Sequence, residues 1–376
     1  MVRILNSAKK LFKHKKPYDL TNTDNLFVEA MRENAVFQYN NCLDYKRILD
    51  EADFNPNSIN TMQDLINLPF LPTLYFKHHN LESVPKNRQL IKATSSGTSG
   101  ARSNIGFDFM SLRTGLDMVI NVGKYHHLWS AKPVNYIIFG YQPTKENKTA
   151  ISKTAYGFTF FAPALSRTFA LEVSENGYKL SMDKVKKVLE KCANSKFPMR
   201  TIGFPAYTYF LLKEMKDNGI HLQMPKGSMV TLGGGWKQFY TQKVDKKDFY
   251  KLVYDVLGIE ESNIIEFFGA VEHPILYTDC KCHHFHIPVY SRVIIRNPDD
   301  FSPVADGSPG LINLLTPMVH SVPLLSVMTD DIGILHTEPC PCGEKSPWLE
   351  IIGRVGISDI VTCASGAEEY LKGEEK

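Results

Sequence analysis

Between residues 111 and 268 the chain alternates amphipathic helical patterns with apolar runs of strand length, and this alternation limits its possible folds more than any other feature. Apolar residues recur at helical spacing at 111–129, 181–195, 205–218 and 241–257, with earlier helices at 24–52 and 61–67. Strand-length runs stand at 134–141, 154–161, 199–204, 228–233, 263–268 and 286–297. Strands separated by helices cross over to lie parallel, so an α/β fold is expected. After residue 298 the pattern changes to short strands broken by proline and glycine, as in NPDDFSPVADGSPG. That stretch reads as a β subdomain attached to the α/β body.

A chain of 376 residues, 43% hydrophobic and 22% charged, suffices for one large domain or two ordinary ones with a substantial core. A net charge of +3 gives no case for nucleic acid. The longest apolar runs, such as YIIFGY at 136–141, are well short of the roughly 18 residues of a membrane helix, so no transmembrane segment is expected. The N-terminus has no apolar run of signal-peptide length, which predicts a cytoplasmic protein with reduced cysteines. In MVRILNSAKKLFKHKK, Ile4, Leu5, Ala8, Leu11 and Phe12 share a helical face, while Lys9, Lys10, Lys13, Lys15 and Lys16 lie elsewhere. Such a basic N-terminal segment, taken as residues 1–20, can rest on an anionic membrane surface or pack on its own domain.

Seven cysteines divide by context. Cys192 stands at helical spacing with Val185, Val188 and Leu189 and reads as core, as does Cys42. In TDCKCHHFH at 278–286 and EPCPCGEKSP at 338–347, two thiols lie one residue apart, and Gly343 frees the second loop to turn its amides toward sulfur. Cys280, Cys282, Cys340 and Cys342 thus form a candidate tetrahedral zinc site, with His283, His284 or His286 able to replace one ligand. A closed shell leaves no position for a reacting water, so Zn²⁺ would be structural.

The stretch Thr94, Ser95, Ser96, Gly97, Thr98, Ser99, Gly100 has only hydroxyl-bearing side chains or none. It has no helix propensity and no apolar face, so it is a loop, either a flexible linker or a cradle of amides and hydroxyls for phosphate oxygens. Three further segments bear on it: GGGWK at 233–237 (Gly234, Gly235, Lys237) and FFGAVEHP at 267–274 (Gly269, Glu272) each follow an apolar strand, and VMTDDIG at 327–333 (Asp330, Asp331) lies in the β part. Gathered at the carboxyl ends of strands, they would offer glycine backbone to an adenine, Glu272 to a metal ion and an aspartate to ribose hydroxyls.

The order TSSGTSG, FGAVE, TDD and then GR at 353–354 resembles the adenylate-forming superfamily, whose members activate carboxylic acids with ATP. The cysteine pairs, LPFLP at 68–72 and GGGWK resemble its LuxE-like acyl-protein synthetases, with phenylacetate–CoA ligases the nearer cousins outside that branch. The resemblance spans about residues 60 to 363. It implies the large N-terminal adenylate-forming domain at 21–352, with the zinc-bearing β subdomain at about 275–350 and a short tail at 353–376. It also implies ATP and Mg²⁺ as cofactors, phosphate binding by Ser95, Ser96, Gly97, Thr98, Ser99 and Gly100, magnesium on Glu272, ribose on Asp331 or its neighbour Asp330, and Arg354 at the end of the large domain.

Two departures are visible. Arg102 stands near the place of a family lysine just past the loop's last glycine, and only residues 355–376 follow Arg354, where relatives continue into a mobile domain that delivers a catalytic lysine. Lys237 is the candidate cation for the reacting phosphate. The LuxE-like branch carries its acyl group on a cysteine near the C-terminus, which maps to Cys363 in SDIVTCASGAEEY, and Thr362, Ala364, Ser365 and Gly366 would leave that thiol accessible. The implied function is activation of a fatty or other carboxylic acid and its transfer to a thiol for an acyl reductase protein. The alternatives are an acyl-CoA or aryl-CoA ligase of the phenylacetate type and an inactive zinc-stabilised binding module. Tyr207, Tyr209, Phe210, Phe267 and Phe268 are candidates for an acyl slot and equally for core.

Overall fold

The computed structural model describes residues 6–95, 102–144, 150–174, 177–236, 239 and 242–354. They fall into two compact units, one built from the residues up to His126 together with those from Gly269 onward, the other from His127–Phe268.

The second unit carries the alternating pattern. Its strands run Ile264–Phe268, Met229–Gly233, Met199–Gly203, Val134–Tyr141, Ala164–Ser174 and Gly177–Leu180 across the sheet, parallel except for the last. Val134–Tyr141 comes first in the chain yet lies between Ala164–Ser174 and Met199–Gly203, so the winding reverses there, the arrangement that opens a crevice at carboxyl strand ends. Helices cover the sheet with one apolar stripe each. Met182–Ala193 buries Val185, Leu189 and Cys192, and Lys246–Leu257 buries Phe249, Val253 and Val256. Asp245 caps the latter by accepting from the Lys247 amide at 2.8 Å, and Gly258, in the left-handed region at φ 64°, ends it.

One expected strand is a helix. Residues 154–161, read as a strand from their threonines and aromatics, lie mostly in the helix Ala150–Phe158. Its buried positions Ser152, Ala155 and Phe158 recur every third residue, and Phe158 packs on Tyr136, Phe161 and Phe267. Tertiary packing overrides β propensity here. The strand follows as Ala164–Ser174, hairpinned with Gly177–Leu180, a pair the sequence patterns did not disclose.

The first unit combines the helices Asn6–Phe12, Asp24–Asn41, Leu43–Glu51 and Phe109–Tyr125 with a largely antiparallel sheet ordered Phe285–His286, Trp348–Arg354, Ser326–His336, Pro309–Leu315, Arg292–Arg296. Leu71–Pro72 joins Ser326–His336 in parallel. Cys42, buried as expected, separates the two helices that the sequence pattern ran together. From Asp24–Asn41, Asn34 donates to the carbonyls of Pro317 (3.1 Å) and Val319 (2.9 Å), and Gln38 donates to that of His320 (3.0 Å). The helix Asn6–Phe12 buries Ala8, Leu11 and Phe12 against its own unit, with Phe12 stacked on Tyr290 at 4.9 Å. Its described apolar residues pack as the own-domain alternative expects, while the five lysines are exposed and Ile4 and Leu5 lie outside the described residues. No helix among the described residues is long and apolar enough to cross a membrane.

Candidate active site and metal centre

Glu272 sits in the turn after Gly269 and is only 4% exposed. Burial raises its carboxyl above the usual range, opposed by the Ser103 hydroxyl, its own backbone and the Lys77 ammonium, and assisted by Asp330. The next residue anchors the turn. His273 is wholly buried, its Nε2 lying 3.0 Å from the Tyr277 hydroxyl and 3.2 Å from Ser291 Oγ, while burial lowers its pKa to about 3 and keeps it neutral.

Asp330 and Asp331 lie in Ser326–His336, opposite the end of Trp348–Arg354 in a register that pairs Asp331 with Arg354. The Arg354 guanidinium stands 3.3 Å from Asp330 and 3.9 Å from Asp331. Thr73 donates its hydroxyl to Asp330 at 3.4 Å. Asp330, Asp331 and Arg354 thus form one cluster, and the charges of Asp330 and Lys77 act on the buried Glu272 of the same unit.

The hydroxyl-rich loop is clasped at its base. The strands Gln89–Thr94 and Asn104–Asp108 pair as a hairpin. Across its end, the Ser95 amide donates to the Ser103 carbonyl at 3.1 Å and the Ser103 amide to Ser95 Oγ at 2.9 Å. Ser95 therefore opens a loop whose two ends are tied, one of them at the residue beside Glu272. Ser96, Gly97, Thr98, Ser99 and Gly100 lie outside the described residues, as do Lys237 and Cys363.

In the other unit, Gly234 and Gly235 follow the carboxyl end of Met229–Gly233 with φ of 83° and 69°, where a side chain would be strained. Both are exposed while Trp236 is buried among Tyr209, Phe210 and Phe249, so the indole anchors the loop. The same packing assigns the candidate slot aromatics Tyr207, Tyr209 and Phe210 to the core of this unit.

The thiols come together in the first unit. Sγ atoms of Cys280, Cys340 and Cys342 and a ring nitrogen of His286 all lie within 4.8 Å of one another. Cys280 and Cys340 are 3.8 Å apart, and Cys342 is 3.3 Å from His286 Nε2. A tetrahedral zinc with Zn–S bonds of about 2.3 Å has edges of about 3.8 Å, so the atoms present fit such an ion. Cys282, expected as the fourth ligand, is outside the group. His286 stands in its place, because the strand Phe285–His286 pairs with Trp348–Leu349 and carries the longer imidazole to the second loop's thiols.

Both cysteine loops have the same backbone. The Cys280 amide donates to the His284 carbonyl (3.0 Å) and that of His283 to Cys280 (2.8 Å); the Cys340 amide donates to Glu344 (3.2 Å) and that of Gly343 to Cys340 (2.9 Å). His283 and Gly343 take the left-handed conformation at φ 59° and 101°. In each, an amide two residues on turns back to the first sulfur, Cys282 to Cys280 at 3.3 Å and Cys342 to Cys340 at 3.5 Å. His286 Nδ1 donates to the Ser346 carbonyl at 3.1 Å, leaving Nε2 its lone pair for a metal, and burial lowers its pKa. Burial raises the Cys340 thiol to about 11 and Cys280 higher, so loading a metal must displace protons.

Sequence reasoning missed Thr73, Lys77, Ser103 and His273. The only available signal for the first two was a threonine and a lysine within the otherwise apolar LPFLPTLYFK.

A family model described as acyl-protein synthetase, LuxE, matches residues 7–372. Over 339 residues the chain is 28% identical to the long-chain-fatty-acid–luciferin-component ligase of Aliivibrio fischeri, covering 89% of this chain and 86% of that one. It is 22% identical over 365 residues to the phenylacetate-coenzyme A ligase of Thermus thermophilus, covering 91% and 72%. A solved structure of 2-hydroxyisobutyryl-CoA ligase in its postadenylation state aligns with a TM-score of 0.68 at 13% identity, over 91% of this chain and 69% of that one. The fold is therefore the α/β fold of the large adenylate-forming domain.

Proposed function

The chain belongs to the LuxE family of acyl-protein synthetases and is a ligase of the adenylate-forming type, and from that premise we propose that it activates a fatty acid with ATP and passes the acyl group to the Cys363 thiol. The grouping of Glu272, Asp330, Asp331 and Arg354 beside the clasped hydroxyl loop carries this reading. In the first half-reaction a carboxylate oxygen attacks the α-phosphorus of ATP. A bond forms to phosphorus, the bond to the bridging oxygen breaks, and pyrophosphate leaves with the electron pair. The clasped loop from Ser95 to Gly100 binds the phosphates through amides and hydroxyls, Asp331 or Asp330 holds the ribose, and Arg354 orients those aspartates. Glu272 suits Mg²⁺, since a buried carboxylate raised by desolvation gains from a divalent partner; the ion when bound neutralises phosphate charge. In the second half-reaction the Cys363 thiolate attacks the acyl carbonyl and AMP departs, leaving a thioester for an acyl reductase protein.

The three thiols and His286 would hold a structural Zn²⁺, which would staple the two cysteine loops. Intact-mass measurement after incubation with ATP, magnesium and a fatty acid tests the whole scheme. One hydroxylamine-sensitive acyl group is expected on the wild type and none on Cys363→Ser, which should still exchange pyrophosphate. An acylated Cys363→Ser protein would move the thioester elsewhere. Turnover of free coenzyme A in place of self-acylation would favour the phenylacetate-type reading, and absence of acid-dependent exchange across fatty and aromatic acids would sink both.

A further inference from the structure

Of the three histidines in KCHHFH, His286 stands in the thiol cluster and His283 takes the left-handed turn, its Nδ1 2.9 Å from Asp279. His284 has a third place. It lies against Trp348 with ring centroids 3.7 Å apart and planes within 5°, and His336 lies against the same indole at 3.7 Å and within 6°. Two rings cannot share one face at that distance, so Trp348 is sandwiched. The sheet sets this up, because Trp348 pairs with His286 on one side and His336 on the other, which makes His284 its diagonal neighbour. Glu338 and Glu350, each 3.0 Å from a nitrogen of His336, fix the far ring. Held in this stack, His284 directs Nδ1 at Cys340 Sγ, 3.2 Å away. It is not among the four residues whose ligand atoms gather within 4.8 Å, so it meets the metal centre from outside, through sulfur.

Three thiolates around one Zn²⁺ leave one net negative charge, and each N–H directed at sulfur offsets part of it. Backbone amides supply one donor to each thiol: Cys282 to Cys280 at 3.3 Å, Cys342 to Cys340 at 3.5 Å and Glu344 to Cys342 at 3.4 Å. Cys280 and Cys342 are half-buried and can draw on water as well. Cys340 is 4% exposed, and its amide donor is the longest of the three. We propose that His284 is a positioning residue of the metal centre, donating Nδ1–H to the Cys340 thiolate and supplying the donor that solvent cannot give to the most deeply buried of the three sulfurs. This rests on the zinc reading of the cluster.

Two substitutions separate the donor from the ring. His284→Phe keeps a ring on Trp348 and removes the N–H, whereas His284→Asn removes the ring and keeps an N–H close to the place of Nδ1. Competition against a chelator of known affinity should show the zinc dissociation constant rising about tenfold in His284→Phe and staying within about threefold of wild type in His284→Asn. With Co²⁺ in place of zinc, the sulfur-to-metal charge-transfer band should move to lower energy in His284→Phe, since a sulfur without that donor releases electron density more readily. In His284→Asn the band should hold its position. Unchanged affinity and an unmoved band in His284→Phe overturn the assignment. Equal losses in both variants assign the effect to ring packing, which overturns it too. A wild type that takes up neither zinc nor Co²⁺ removes the metal reading itself, whereas a wild type that binds both, with variants that match it, removes only the role of His284.

Discussion

The thiol cluster and the acidic cluster of the first unit both join residues far apart in the chain, yet they are held in opposite ways. In the first, amides of the cysteine loops themselves point at Cys280, Cys340 and Cys342, and Ser346 fixes the His286 ring. The ligand atoms already stand at ionic spacing. In the second, Glu272 is buried while the side chains of Asp330, Asp331 and Arg354 are 38%, 25% and 36% exposed. A shell that closes on itself suits one small ion and leaves nothing to react. A shell half open to solvent suits a large ligand that brings its own charge.

The sharpest way to break this contrast is to remove one residue from each side. Glu272→Ala should depress acid-dependent pyrophosphate exchange by about a hundredfold or more while leaving the melting temperature unchanged or raised, since a desolvated carboxylate is removed. Undiminished exchange would contradict the role given to it. Cys340→Ser should do the converse, with zinc falling from one per chain to none by metal analysis and melting dropping by about 10 °C. Exchange measured in the cold should stay within about tenfold; a far larger loss would mean that the thiol cluster takes part in chemistry.

A smaller effect sharpens the acidic side. His273 titrates near 3 in the fold and near 6.5 in the unfolded chain, so below about pH 6.5 only the unfolded state takes up its proton. Its contribution is full above that pH and is lost progressively as pH falls toward 3. Chemical denaturation between pH 6.5 and 5, above the range of an ordinary exposed carboxylate, should show stability declining with acid, and His273→Phe should flatten that slope. An identical slope in the variant would assign it to other groups. The smallest expected effect is that of Cys282→Ser, with zinc content unchanged and melting within about 1 °C. Loss of zinc there would restore the four-thiolate site and remove His286 from it.

The alternating pattern disclosed Val134–Tyr141, Met199–Gly203, Met229–Gly233 and Ile264–Phe268 of the second unit because a parallel sheet covered by helices must write its core into runs of fixed period. It failed at 154–161, where aromatics and threonines mimic a strand, and only the three-residue recurrence of Ser152, Ala155 and Phe158 shows the helix. The motif order disclosed the acidic cluster's membership. What it could not disclose was depth: that Glu272 is desolvated, that Ser103 and Lys77 act on it, or that a neutral histidine pins its turn, since these follow from contacts between segments that carry no pattern of their own. Likewise, spacing offered His283, His284 and His286 equally. The pairing of Phe285–His286 with Trp348–Leu349 chose among them.

The amide side chains of Asn34 and Gln38 grip carbonyls that lie 281 to 285 residues later in the chain. On a ribosome this imposes an order of events. The 127–268 unit emerges whole and can close on its own contacts, whereas the helix Asp24–Asn41 must wait through that entire interval, its inner face still wet, before its partners at 317–320 are synthesised. The unit that assembles the acidic and thiol clusters is thus the last to be completed, and a chain interrupted before residue 320 would present a finished second unit beside an unfinished first one.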